Sequence, residues 1–227
     1  MNKTAEAVII GGGISGVSIA YNLAKRGLKN IVVIERDHLA SGSTGRCGAG
    51  VRMQWGEELN CVFAKYSIEF FERANDELGY QGDIGFKQGG YLIVGTTREE
   101  TARFQQNVAL QNKLGIPSRL LTPAEAKEIV PYLDETKITC ATFCGKDGHL
   151  NPFHSTQAYA DAAIRLGVKI LLETEVTDLK IGCGGMKTVV TAKESIETPV
   201  VVNAAGAHAP HIAKMVGIPL PMSAERH

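Results

Sequence analysis

The chain has no excess of either charge, no long apolar run and few cysteines, and each shortage excludes something. Lys plus Arg equals Asp plus Glu, at 24 each in 227 residues, so charge gives no case for a nucleic-acid or membrane-surface partner. No stretch approaches the roughly 20 apolar residues that cross a bilayer. The opening MNKTAEAVII runs straight into a strand pattern and leaves no room for a secretory leader. The cysteines are Cys47, Cys61, Cys140, Cys144 and Cys183. An odd, sparse set reads as reduced thiols in a cytoplasmic protein, not as a disulfide framework. Cys140 and Cys144 stand four apart in TCATFC, but no second Cys or His pair completes four metal ligands, so no metal is expected.

What is present is glycine, 25 of them, clustered in 11–16, 42–50, 79–90 and 182–185. The first cluster has the clearest context. Ala7 to Ile10 is a short apolar strand pattern, and Ile14, Val17, Ala20, Leu23 and Ala24 recur at helical spacing. Lys25 and Arg26 followed by Gly27 make a helix end. Ile31 to Ile34 is a second strand pattern, closed by Glu35.

Within that strand–turn–helix–strand order, Gly11-x-Gly13-x-x-Gly16 acquires a chemical meaning. The first glycine permits a tight turn, the second lets backbone approach a pyrophosphate, and the third lets helix pack on strand. Free N–H groups at the helix start then meet phosphate charge. Glu35, 19 residues beyond Gly16, is placed to accept hydrogen bonds from ribose hydroxyls, and an acid there disfavours the 2′-phosphate of NADP. The spacing predicts a dinucleotide site. Beyond it, ERDHLASGSTGRCGAGVRMQW (Glu35–Trp55) is rich in glycine, serine and threonine, with Arg46 and Arg52 nearby. Such a loop can wrap a further part of an extended cofactor, where an NAD-binding half would proceed to another helix.

These segments, GGGISG, IER and SGSTGRCGAGVRMQW, resemble FAD-dependent amine oxidoreductases of the D-amino-acid oxidase type. The middle and late segments, GGYLIVGTT (Gly89–Thr97), QNVALQNKLGIPSRLLTPAEAKEIVP (Gln106–Pro131), DGHLNPFHSTQAYADAAIRLGV (Asp147–Val168) and VVNAAGAHAPHIAKMVGIPLP (Val201–Pro221), point within that family to the sarcosine oxidase β-subunit and dye-linked proline dehydrogenase β-subunit branch. The resemblance implies FAD as cofactor. Gly11, Gly13, Ile14, Ser15 and Gly16 would hold the pyrophosphate, and Glu35 with Arg36 the adenosine ribose. Ser43, Thr44, Gly45, Arg46, Cys47, Gly48, Ala49 and Gly50 would run beside pyrophosphate and flavin. Val176 would meet the adenine through its backbone, and Ala205 and Gly206 would form a second small-residue turn. Two positions depart from the pattern: His208 stands where an aromatic residue often follows AAGA, and Cys47 where Asn or Ser is common. His154 reads by default as a polar loop histidine. Flavin attachment through a histidine in this neighbourhood, as in some members of the branch, is the alternative.

The implied fold is α/β, a Rossmann-like FAD-binding domain (GR2-type flavoprotein) with part of a mixed α+β substrate domain inserted. Residues 1–84 and 147–216 would form the FAD-binding domain, 85–146 the insert, and 217–227 the start of a C-terminal half lying beyond PMSAERH. Without that half, an apolar surface is expected to be exposed or covered by another chain. Leu59, Phe63, Tyr66, Phe70 and Ala74 predict one long amphipathic helix up to Gly79, with its aromatics in the core. Thr122-Pro-Ala-Glu125 opens a short capped helix, and Asn151-Pro152 starts another that ends near Gly167.

The activity implied is oxidation of a small or secondary amine or amino acid, of the sarcosine, proline or glycine kind. A hydride would pass from the carbon beside nitrogen to flavin N5, giving an imine that water hydrolyses. No catalytic side chain is assigned. The partners implied are that small substrate and other subunits of a hetero-oligomeric dehydrogenase or oxidase. The rival reading is an FAD-binding or assembly module that is not catalytic alone. An NAD-linked dehydrogenase is a third, weakened by the loop after Glu35.

Overall fold

A computed structural model describes residues 3–223. In chain order the elements are β1 (Lys3–Thr4), β2 (Ala7–Ile10), α1 (Ile14–Lys25), β3 (Ile31–Ile34), β4 (Gly50–Val51), α2 (Glu58–Phe71), α3 (Ala74–Glu77), β5 (Tyr91–Gly95), α4 (Arg98–Lys113) and β6 (Arg119–Leu121). Then come α5 (Pro123–Ile129), β7 (Cys140–Cys144), β8 (Gly148–His149), α6 (Pro152–Arg165), β9 (Lys169–Leu171), β10 (Val176–Ile181), β11 (Lys187–Thr191), β12 (Ser195–Thr198), β13 (Val201–Asn203) and α7 (Ala209–Lys214). Among the described residues no helix is long and apolar enough to cross a membrane.

The chain divides into two compact units. The first comprises residues 1–48, 75–84 and 152–227. Its centre is a parallel sheet in the order β13-β2-β3-β9, with Ile10 level with both Ile34 and Asn203. AVII and IVVI are buried at every position, as expected for parallel strands covered on both faces. On one face Val8, Ile10, Val32 and Ile34 pack with Val176, Leu179, Val189 and Ile196 of a second sheet, β1-β12-β11-β10. Helix α1 packs with α6, where the Tyr21 and Tyr159 rings meet edge-on at 5.7 Å. Both helices bury small residues, Gly16, Ala20 and Ala24 on α1 and Ala158, Ala162 and Ala163 on α6, which is what close approach of two backbones requires. Gly27, at φ +98°, ends α1 as the sequence predicts: its N–H reaches the Ala24 carbonyl and the Leu28 N–H the Leu23 carbonyl.

The second unit comprises residues 49–74 and 85–151. It holds a three-stranded antiparallel sheet, β5-β7-β6, and a short β4-β8 pair. The predicted insert 85–146 lies inside it, but so do 49–74 and 147–151. The reason is packing: Met53, Cys61 and Ile68 share a core with Ile116 and Cys144. The cap at Thr122 forms as expected, its hydroxyl on the Glu125 N–H and the Glu125 carboxylate on the Thr122 N–H; Thr97 and Glu100 make a second one for α4.

Two expectations are corrected here. The long helix breaks at Glu72–Arg73 into α2 and α3. Its aromatic stripe is also not core: Leu59, Phe63 and Tyr66 are 63%, 60% and 70% exposed. The helix instead turns Cys61 and Ile68, one heptad apart, to the interior. Periodicity located an apolar face but could not tell which edge of it would be covered. Cys140 and Cys144 are buried on β7, where burial pushes the Cys144 thiol up. Residues 224–227 of the proposed C-terminal start lie outside the described residues.

Candidate dinucleotide site

The site is built in the first unit, at the carboxyl edge of the parallel sheet where β2 hands over to α1. Gly11 takes φ +117°, a conformation that residues with side chains rarely adopt. A Cβ on Gly11 would run into the Ala204 carbonyl, and one on Gly16 into the Gly11 carbonyl. The first and third glycines are therefore demanded by packing. Gly13 is not. Its backbone is extended, φ −75° and ψ 177°, and a Cβ there would have Thr44 Oγ1, at 3.1 Å, as its one neighbour. The space left there faces the start of α1, which has no acid in its first turn and no side chain on its N-cap. The positive end of a 12-residue helix is thus left for an anion.

Glu35, at 9% exposure, braces this turn directly. Its Oε2 accepts the Gly12 N–H at 2.6 Å, while Oε1 accepts the Asp37 N–H at 3.0 Å and the Ser41 hydroxyl at 3.4 Å. A carboxylate has about four lone-pair sites, so with three taken one remains for a ligand hydroxyl. The loop that follows is tied to the same turn: Ala40 donates to the Gly12 carbonyl at 3.1 Å and Gly45 to the Ala40 carbonyl at 3.0 Å. Ser43–Arg46 forms a single helical turn. Within it, Thr44 Oγ1 accepts the Ile14 N–H at 3.2 Å and the Thr44 carbonyl accepts the Cys47 thiol at 3.0 Å. Gly45 has no room for a side chain, because a Cβ would run into the Ala40 carbonyl.

The opposite wall follows β13. The Ala204 N–H binds the Ile10 carbonyl at 2.8 Å, and Gly206 takes φ +53°. Behind β3, the Thr174 N–H reaches the Glu35 carbonyl at 2.9 Å and the Glu173 N–H that of Asp37 at 3.0 Å. These bonds hold the segment that enters buried Val176 beside the acid. Arg36 crosses to His208, Nη2 to Nε2 at 3.0 Å.

The structure therefore gathers Gly11, Gly13, Ile14, Ser15, Gly16, Glu35, Arg36, Ser43, Thr44, Gly45, Ala205 and Gly206 around one edge. Arg46, Cys47 and Gly48 continue exposed from the same loop. Ala49 and Gly50 belong to the second unit, where Gly50 pairs with His149 and its backbone lies against the Tyr91 hydroxyl. His154 stands in the first turn of α6 beside the Tyr80 ring, centroids 6.2 Å apart.

Three residues escape a reading of spacing alone. Gly12 and Ala204 work through backbone groups, for which a side-chain pattern carries no signal. Asp147 is fully buried in the second unit, accepting the Met53 N–H at 2.8 Å and Gln54 Nε2 at 3.0 Å. Gln54 Nε2 also donates to the Tyr91 carbonyl at 2.9 Å. Burial pushes the Asp147 carboxyl above the usual range. Nothing in the spacing of DGH signals that burial. Among the described residues no group of three or more His, Cys, Asp or Glu could hold a metal.

A glycine cradle with space at Gly13, a helix start with no acid in its first turn and a buried acid with an acceptor site to spare suits a dinucleotide diphosphate. Comparison with known proteins agrees. The family described as FAD dependent oxidoreductase (DAO) matches residues 6–227. Rat mitochondrial dimethylglycine dehydrogenase is 34% identical over 224 residues, 98% of this chain and 26% of that protein. The crystal structure of L-proline dehydrogenase from P. horikoshii superposes with TM-score 0.87 and 44% identity, over 96% of this chain and 57% of that one. Glycine oxidase from Geobacillus kaustophilus superposes with TM-score 0.83 and 26% identity, over 96% and 60%. The chain thus spans about a quarter of the length of this curated relative and rather more than half of these two solved chains.

Proposed function

Because this chain belongs to the DAO family of FAD-dependent oxidoreductases, we propose that it serves the FAD-dependent oxidation of a small or secondary amine or amino acid of the sarcosine, proline or glycine kind. The observation that carries this reading is the cradle around Gly13, together with relatives whose names are those of dimethylglycine and proline dehydrogenases and a glycine oxidase. When bound, FAD supplies the hydride acceptor.

This chain's residues have the task of binding and orienting it. The N–H groups opening α1 receive the diphosphate, and Glu35 receives the ribose hydroxyls while bracing Gly12. The Ser43–Gly48 loop follows the cofactor onward, and Val176, Ala205 and Gly206 line its course with backbone. No side chain of this chain is assigned a proton-transfer role. The site is proposed to work with the small substrate and with other subunits of a larger dehydrogenase or oxidase, in the cytoplasm.

The second reading is an FAD-binding module that needs further polypeptide for turnover. It is favoured by the chain's covering 57% of the L-proline dehydrogenase chain. One experiment separates the two. The chain is incubated with FAD, desalted, and its visible spectrum recorded anaerobically before and after sarcosine, proline or glycine. A retained flavin band that bleaches supports the oxidoreductase reading. A retained band that persists with all three supports the module. Retention of NAD in place of FAD would overturn both.

A further inference from the structure

Arg36 follows the acid that ends β3, and His208 lies in the turn that follows β13. These strands flank β2 on opposite sides. Neighbouring strands stand about 4.8 Å apart, so the two residues rise from opposite sides of the glycine turn. Their side chains nevertheless meet, Nη2 to Nε2 at 3.0 Å, across the sheet edge on which the dinucleotide lies in the proposed function. A guanidinium has donors and no acceptor. His208 Nε2 must therefore be the acceptor, which requires a neutral ring with its proton on Nδ1. The acids adjoining Arg36 in sequence are engaged elsewhere: Glu35 holds Gly12, and Asp37 Oδ1 is 3.0 Å from His38 Nδ1.

We propose that His208 is a positioning residue for the dinucleotide, holding the Arg36 guanidinium across the cradle so that its remaining N–H donors face the diphosphate of the ADP half. The inference rests on the cofactor reading above and goes one step past it. An unheld surface arginine loses rotamer freedom when it grips a ligand; one already held by His208 has lost much of it beforehand. One guanidinium N–H is used on the ring, and four remain for charge-assisted bonds to phosphate oxygens. His208 touches no reacting atom in this account and acts through Arg36.

The test is equilibrium binding of FAD and of ADP to the full chain, measured by calorimetry for the unaltered protein, His208→Ala, His208→Gln, Arg36→Ala and the His208/Arg36 double variant. His208→Ala is expected to weaken both ligands by roughly tenfold, and His208→Gln, which keeps an acceptor, to recover most of that loss. In the Arg36→Ala background, His208→Ala should add nothing, because coupled residues are non-additive. Thermal unfolding of the ligand-free chain should be the same for all variants, a readout that a merely structural role would move. Unchanged ADP and FAD affinity in His208→Ala, or losses that multiply in the double variant, would overturn the inference while leaving the cofactor reading intact. Failure of the unaltered chain to bind either nucleotide would overturn both.

Discussion

The carboxylate of Glu35 accepts the Gly12 N–H at 2.6 Å, so the acid that closes β3 also holds the turn that closes β2. Turn geometry, and in the proposed function ribose recognition, thereby depend on one side chain. Replacing Glu35 with Gln puts an amide where two backbone donors converge, the Gly12 and Asp37 N–H groups. Stability should fall by about 1–3 kcal/mol, the cost of a lost buried bond to a charged group, and FAD affinity should fall with it. Denaturant unfolding with and without FAD measures both. A fall in affinity at constant stability would mean the bracing bond is idle.

Gly13→Ala separates binding from folding. Its extended backbone tolerates a side chain, and the added methyl meets Thr44 Oγ1 at 3.1 Å. Stability should change by less than about 1 kcal/mol, while FAD retention is lost because the methyl occupies ligand space. Gly27→Ala does the reverse: at φ +98° with open space around it, it should cost roughly 1 kcal/mol and leave FAD binding intact. Unfolding midpoints and flavin retention on the two variants check the pair.

Asp147 should give the second unit a signature in acid. Burial raises its folded pKa above the unfolded value near 3.8, so the folded state holds its proton more tightly. That contribution to stability is complete below the unfolded value and is lost as pH rises through the higher folded one. Asp147→Asn removes the titration, so the slope of stability against pH across the carboxylate range should become less negative. Denaturant titrations at several pH values on both proteins measure the change. An identical slope would mean the carboxyl is not held in its burial site.

Helix α2 offers a paired test of which face is core. Ile68→Ala should cost about 2–4 kcal/mol, since Ile68 is 2% exposed among Met53, Cys61 and Ile116. Phe63→Ala, at 60% exposure, should stay within about 0.5 kcal/mol. Comparable losses for the two would mean that the aromatic stripe is covered in solution.

Local chemistry determined a good deal of this protein before any tertiary contact was considered. A continuous apolar run into glycine, a period-3.6 run out of it and an acid one strand later specify the β2–α1–β3 unit. Each signal is a property of a few adjacent residues: Gly11 needs positive φ, Gly27 ends a helix, and Thr122 with Glu125 caps one. The family resemblance carried in GGGISG and the later segments named Val176 and Ala205 as candidates, which spacing could not.

Only the tertiary structure decided the rest, because it depends on which surfaces meet. The Leu59–Phe63–Tyr66 stripe and the Cys61–Ile68 stripe are equally periodic, and packing against Ile116 and Cys144 chose the second. Residues 49–74 joined the second unit for the same reason. Asp147 became a buried tether, and His208 came to meet Arg36, 172 positions away in sequence, through strand order alone. A sequence states what each residue can do; the order β13-β2-β3-β9 settles which of them do it together.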